Sequence, residues 1–278
     1  MRSVLGYMQE RFPLPLVTLM SLSFAVLSLG LFAAAPIATP GWWLQLVLLT
    51  LAYLAVLLRY RVTDEWKDFE HDRVVYPDRP LHRGAITVRA LVLLGAAALA
   101  VELTAVAMLG GAPGLAAYLP VLLLSALTAV EFFAKATLER RFTLSFVLHE
   151  MIYLPLFGWA AFVLGAPLDG ATVAGILSAA LLFTAVEVVR KFEPRHDPRG
   201  AVVADTYSAV WGRPRAIVVI VLSLLASAAL ALVAGVGAPV VVAALVIVAA
   251  LLTLRRSDRA VVLLGGASLP VLAAAMLS

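Results

Sequence analysis

Residues 42–72 read WWLQLVLLTLAYLAVLLRYRVTDEWKDFEHD. The first part, 42–62, is apolar over the ~20 residues a helix needs to cross ~30 Å of hydrocarbon. It then runs without a break into a dense acidic segment. Such a span, ending in clustered charge, puts the chain in a bilayer and its chemistry at the membrane surface. Composition agrees: of 278 residues, 63% are hydrophobic and 14% charged, whereas soluble domains carry about 25% charged residues. Comparable apolar stretches cover 14–36, 42–62, 87–109, 114–133, 142–165, 171–191, 214–236, 238–254 and 260–277. The first is too long for the apolar core of a signal peptide and reads as a retained span. The fold class expected is an all-α membrane protein, a bundle of nine transmembrane helices forming one domain over 1–278 with polar cap loops.

Charge placement tests that arrangement. If the stretches alternate direction, all 21 Lys and Arg fall on one side: before 14, in 59–89, in 135–141, in 190–215 and in 255–259. The opposite connections contain no basic residue and one acid, Asp169. Cytoplasmic loops carry the excess of Lys and Arg, so the N-terminus and both long polar loops are expected in the cytoplasm, with the plasma membrane as location. The net charge of +4 is then a topology signal. No basic, aromatic surface motif points to nucleic acid. With no cysteine in the chain, disulfides and thiolate metal sites are excluded, and any metal must use oxygen or imidazole ligands.

Polar residues concentrate in the long connections 63–86 and 192–213, which suggests a weak internal duplication. At about 100° per residue, Asp64, Asp68 and Asp72 span about 80° of a helix, and Arg61 and Glu65 widen the arc to about 100°. Like charges so placed repel on an isolated helix. A Mg²⁺ ion with a diphosphate would neutralise them, since Mg²⁺ takes one or two carboxylates, waters and phosphate oxygens. The alternative is a solvated helix end whose acids pair with Arg61, Lys67 and Arg73.

The continuation, RVVYPDRPLHRGAIT over 73–87, favours the first reading. Residues 61–87 resemble the first signature of the UbiA superfamily of intramembrane prenyltransferases, N-D-x-x-D-x-x-x-D followed by R-P-L-x-x-G-x-I-S. Asp64 stands where that family has Asn and Glu65 where it has the first Asp. Asp68, Asp72, Arg79, Pro80, Leu81 and Gly84 match. The resemblance implies a UbiA-like fold whose carboxylates bind Mg²⁺ and a prenyl diphosphate.

The second signature, 187–212, matches more loosely. The family has D-x-x-x-D before a Gly- and Thr-containing stretch, and Thr206 to Gly212 fits that stretch. Glu193 and Asp197 have the right spacing, but Glu187 shares an arc with Arg190 and Lys191, while Pro194 disfavours helix at Glu193. Glu187 and Asp197 are therefore favoured as acidic ligands over Glu193 with Asp197. Arg190 and Lys191, with Arg61 and Arg79, are the expected diphosphate contacts; the alternative for Arg190 and Lys191 is a topology anchor.

Within the spans, His149, Glu150 and Tyr153 form a possible pocket, His149 and Tyr153 sharing a helical face. An internal hydrogen-bonded cluster explains them equally well. Glu102 reads as a protonated or paired packing residue, and Glu131 with Lys135 as an i, i+4 ion pair. The expected activity is Mg²⁺-dependent ionisation of a prenyl diphosphate and transfer of the prenyl group to a lipophilic acceptor that the sequence leaves unidentified. A terpene cyclase is the alternative. A transporter would need helices broken around a mid-membrane site, whereas here the acids gather at one interface.

Overall fold

The computed structural model describes residues 2–33, 37 and 39–277. A short helix, α1 (Arg2–Arg11), precedes α2 (Leu14–Phe32); residues 34–36, the end of the first expected span, lie outside the described residues. Thr39 caps α3 (Pro40–Lys67) by accepting a hydrogen bond from the Trp42 amide at 3.3 Å, with proline at the first helical position. After α4 (Phe69–Val75), Thr87 caps α5 (Val88–Ala129) in the same way, accepting from Ala90 N at 3.2 Å. A 3₁₀ turn (Glu131–Phe133) leads into α6 (Lys135–Arg140), then α7 (Phe142–Glu150) and α8 (Tyr153–Val163). Asp169 caps α9 (Gly170–Arg190), accepting from Thr172 N at 2.9 Å. A two-stranded antiparallel hairpin, β1 (Arg195–His196) and β2 (Val202–Val203), precedes α10 (Tyr207–Trp211), α11 (Arg213–Val233), α12 (Pro239–Leu254) and α13 (Asp258–Ala275).

Among the described residues the nine apolar stretches fall mainly on helix, but the helices divide differently from the expected nine spans. Among the described residues, seven helical segments are long and apolar enough to cross a membrane, and α12, with 16 residues, is shorter. Two expected spans merge in α5. As a straight helix its 42 residues would reach about 63 Å, twice the hydrocarbon thickness. It breaks at Gly111 (φ 60°, ψ −150°), a conformation essentially reserved for glycine. The fifth stretch also breaks, at Met151–Ile152 between α7 and α8, because Pro155 lacks the N–H that would bond the Met151 carbonyl. His149 and Tyr153 therefore do not share an uninterrupted helical face.

The chain divides into two compact units, Met1–Ala25 with Ala38–Arg141, and Val26–Ile37 with Phe142–Ser278. In the first, α3 packs on α5, and Leu49, Ala52 and Val56 of α3 and Ala98, Ala105 and Val106 of α5 are buried. A buried polar group sits in the same layer. Glu102 accepts from Arg59 Nε (2.7 Å), Arg59 Nη2 (2.9 Å) and the Tyr118 hydroxyl (2.8 Å). Glu102 is thus the paired packing residue expected. In the second unit α9 packs on α11 along small residues, where the Ser178 hydroxyl donates to the Ser227 carbonyl at 2.8 Å. Large apolar side chains such as Leu16, Val47, Leu93, Leu222, Val246 and Leu263 point outward, as lipid contact requires and water would penalise.

Candidate functional site

The acidic run of the first unit is not one uninterrupted helix. Helix α3 stops at Lys67, and Asp68 (φ −94°, ψ 9°) both ends α3 and begins α4. This corrects the expectation of one uninterrupted helix, although Asp68 N still bonds the Asp64 carbonyl at 2.9 Å and Asp72 N the Asp68 carbonyl at 2.8 Å. The repulsion of like charges is met by cations, arginines for Glu65 and Asp72 and a shared Lys67 for Asp64 and Asp68. Glu65, 1% exposed, accepts from Arg11 Nε at 2.8 Å and Arg61 Nη2 at 2.7 Å through one oxygen. Asp72, 2% exposed, pairs with Arg79, whose guanidinium lies 4.1 Å over the Tyr76 ring. Asp64 Oδ1 stands 3.7 Å from Lys67 Nζ, and Lys67 reaches Glu131 Oε1 at 3.1 Å. Asp68 also acts on the Lys67 charge.

The Glu131–Lys67 contact corrects a further expectation. Glu131, Phe132 and Phe133 all have positive φ, at 50°, 52° and 57°, so Glu131 and Lys135 are not one turn apart on a helix.

The turn after α4 is held from α1. Arg83 donates to Glu10 through both terminal nitrogens (2.5 and 3.2 Å) and to the Asp78 carbonyl (2.5 Å). Gly84 (φ 73°) allows the reversal that brings the Ala85 amide to the Pro80 carbonyl at 2.8 Å. Ile86 and Leu91 pack on Tyr7 of α1. Burial, then the charge of Glu65, pushes the Tyr7 phenol up to about 12. Sequence reasoning missed Tyr7, Glu10 and Arg11 as part of this site. Arg11 had read only as a topology charge, and its partner Glu65 is 54 residues away.

The second unit has its own polar end. Arg190 grips Glu187 with Nε (2.8 Å) and Nη2 (3.0 Å), Lys191 Nζ approaches the same carboxylate at 3.0 Å, and the Tyr207 hydroxyl donates to it at 3.3 Å. The expected Glu187, Arg190 and Lys191 group is thus assembled. Asp197 is engaged in the hairpin turn, where its Oδ1 accepts from the Arg199 and Ala201 amides, each at 2.9 Å. Glu193 is exposed, and Arg195 pairs with Asp205 at 3.2 Å.

Tyr207 belongs to an aromatic group with Phe142, Phe146 and Trp211, ring centroids 4.8 to 5.8 Å apart. The paired spacings, 142 with 146 and 207 with 211, were the sequence signal for it. Burial, then the charges of Glu187 and Glu150, raises the Tyr207 phenol well above its ordinary range. His149 donates from Nδ1 to the Ser145 carbonyl at 2.7 Å, and Tyr153 stacks on Phe183 at 4.7 Å. Glu150 Oε2 is buried without a hydrogen bond among the described residues.

The resemblance implies Mg²⁺, and the donor sets differ in how well they fit it. Among the described residues no three acids or histidines converge as a ready metal group. Glu65 and Asp72 are buried against arginines and do not fit. Asp64 and Asp68, half-buried beside Lys67, do fit in kind, since both keep part of their surface open and Mg²⁺ needs only one or two carboxylates if phosphate and water complete its shell.

No family model matches the sequence, and no curated protein does. The fold is nevertheless similar to solved structures. One is the apo structure of a UbiA homologue from Aeropyrum pernix K1, at 18% identity and a TM-score of 0.63, covering 94% of this chain and 96% of that one. Another is a structure of digeranylgeranylglyceryl phosphate synthase, at 15% identity and a TM-score of 0.55, covering 100% of this chain and 98% of that one. The chain is thus a multi-pass membrane protein. Its fold is that of the UbiA homologues.

Proposed function

We propose that the protein is a Mg²⁺-dependent intramembrane prenyltransferase that ionises a prenyl diphosphate and passes the prenyl group to a lipophilic acceptor. The observation that carries this reading is the acidic run Asp64–Asp72 leading into the arginine turn at 79–84, set at the end of an apolar helix in a UbiA fold. Asp64 and Asp68 would hold the metal, which when bound supplies positive charge to the diphosphate oxygens as the C–O bond breaks. Arg79, fixed by Asp72 and Tyr76, offers a planar donor to the same anion. In the second unit Arg190 and Lys191, gathered on Glu187, are proposed as diphosphate-binding cations in their own right. The electron pair leaves with the diphosphate, and the acceptor's nucleophilic atom bonds the allylic carbon as it loses its proton. Apolar helices around the reacting chain exclude the water that would quench the cation. By the distribution of basic residues, we place the polar loops in the cytoplasm and the protein in the plasma membrane.

The aromatic group at Tyr207 favours a second reading, a terpene cyclase, because ring faces stabilise a migrating cation. Purified protein incubated with Mg²⁺ and prenyl diphosphates of increasing chain length, alone and then with membrane extract, separates the two. A transferase releases diphosphate faster with the extract and yields a heavier prenylated product. Rapid extract-free conversion to a cyclic product selects the cyclase, and no conversion of any prenyl diphosphate refutes both.

A further inference from the structure

The ammonium of Lys67 lies 3.1 Å from Glu131 Oε1 and 3.7 Å from Asp64 Oδ1, with Asp68 acting on it as well. Its side chain is only 15% exposed, so the charge is held there rather than waving in solvent. The acid that holds it comes from an unusual piece of backbone. Three consecutive non-glycine residues, Glu131, Phe132 and Phe133, adopt the left-handed region, which costs about 1 to 2 kcal/mol for each L-residue. A surface turn has no need of such a conformation. Here it aims the Glu131 carboxylate at Lys67.

We infer that Lys67 is the resident counter-ion of the Asp64–Asp68 pair and makes divalent metal and diphosphate bind there together rather than separately. The inference rests on the metal-diphosphate reading proposed above. A divalent ion arriving alone must bind beside an ammonium a few ångströms away, and Glu131 draws that ammonium only partly aside. A diphosphate changes the balance. Its oxygens take the three flexible donors of the lysine and complete the metal shell, so both cations gain a shared anion. Lys67 thus acts as a positioning residue that suppresses binding of metal without substrate.

The test uses the full chain in detergent, with Mn²⁺ as an oxygen-seeking probe followed by electron paramagnetic resonance, with and without inorganic pyrophosphate. Wild type should bind Mn²⁺ weakly alone and tightly with pyrophosphate. Lys67→Met removes a positive charge from within a few ångströms, so Mn²⁺ alone should bind about tenfold tighter or more, and the pyrophosphate coupling should fall by the same factor. Lys67→Arg should behave as wild type. Glu131→Gln returns the ammonium wholly to Asp64 and Asp68, so metal alone should bind more weakly. These opposite directions separate the inference from a merely structural ion pair, whose loss would weaken binding in both variants. If Lys67→Met fails to fold, Lys67→Gln takes its place with the same expected tightening, and unchanged or tighter metal binding in Glu131→Gln also overturns the inference. Unchanged or weaker metal binding in folded Lys67→Met, while wild type still binds Mn²⁺ with pyrophosphate, overturns the inference alone. Absence of Mn²⁺ binding with pyrophosphate in every protein overturns the proposed function and the inference with it.

Discussion

Replacing Glu102 with leucine should destabilise the fold far more than the loss of ordinary hydrogen bonds would. The Glu102 carboxylate accepts at 2.7, 2.9 and 2.8 Å from two nitrogens of Arg59 and from Tyr118, and the Arg59 side chain is 14% exposed. Hydrogen bonds inside membrane proteins average about 0.6 kcal/mol, so three lost bonds alone would cost about 2 kcal/mol. Stranding a buried arginine costs about 3–5 kcal/mol, and that larger figure is the one expected for Glu102→Leu. The double variant Arg59→Met/Glu102→Leu removes both charges and should recover most of it. A residue of about 1–2 kcal/mol remains, because the buried Tyr118 hydroxyl keeps no acceptor at this position. Equilibrium unfolding in mixed micelles, followed by far-UV circular dichroism, measures all three proteins. A cost under about 1 kcal/mol for Glu102→Leu, or a double variant no better than the single one, would refute the account of this ion pair as a buried, mutually dependent unit.

Asp68→Asn should abolish Mg²⁺-dependent turnover while the protein stays folded, since it removes a charge from a like-charged run; full retained turnover in a product assay would count against the metal assignment. Chelation with EDTA should likewise stop turnover, and added Mg²⁺ should restore it. Cysteines at Ala112 and Asp169 should label from outside intact cells and one at His71 should not, so external labelling at His71 would reverse the orientation. Gly84→Ala should cost about 1–2 kcal/mol in thermal unfolding because φ is 73° there with open space around the added Cβ, and Gly84→Asn should cost less.

The spans were legible because lipid imposes a length and an apolarity that few other environments require. The acidic run and its arginine turn were legible because they are contiguous. What the sequence did not reveal depends on where the backbone bends and which distant charges then meet. Regular helical geometry carried Asp64, Asp68 and Asp72 onto one unbroken helix, whereas the helix is interrupted at Asp68, with Asp64 and Asp68 at Lys67 and Asp72 buried against Arg79. It also paired Glu131 with Lys135, whereas the left-handed turn delivers Glu131 to Lys67. Arg59 with Glu102 and Arg11 with Glu65 lie 43 and 54 residues apart, beyond the reach of any local pattern. Asp197 had the spacing of a ligand, yet its short side chain bonds the amides nearest to it, as aspartate in turns tends to do.

The break in α5 bears on how the protein is made. Gly110, Gly111, Ala112 and Pro113 are the whole connection between two apolar halves, and none carries a charge or a strongly polar side chain. Nothing in it resists passage through hydrocarbon, so the two halves can enter the bilayer as one hairpin instead of being threaded in turn. The same economy leaves the far side of this hairpin without a handle: an epitope or glycan acceptor introduced there would need a spacer built on both sides of Gly111.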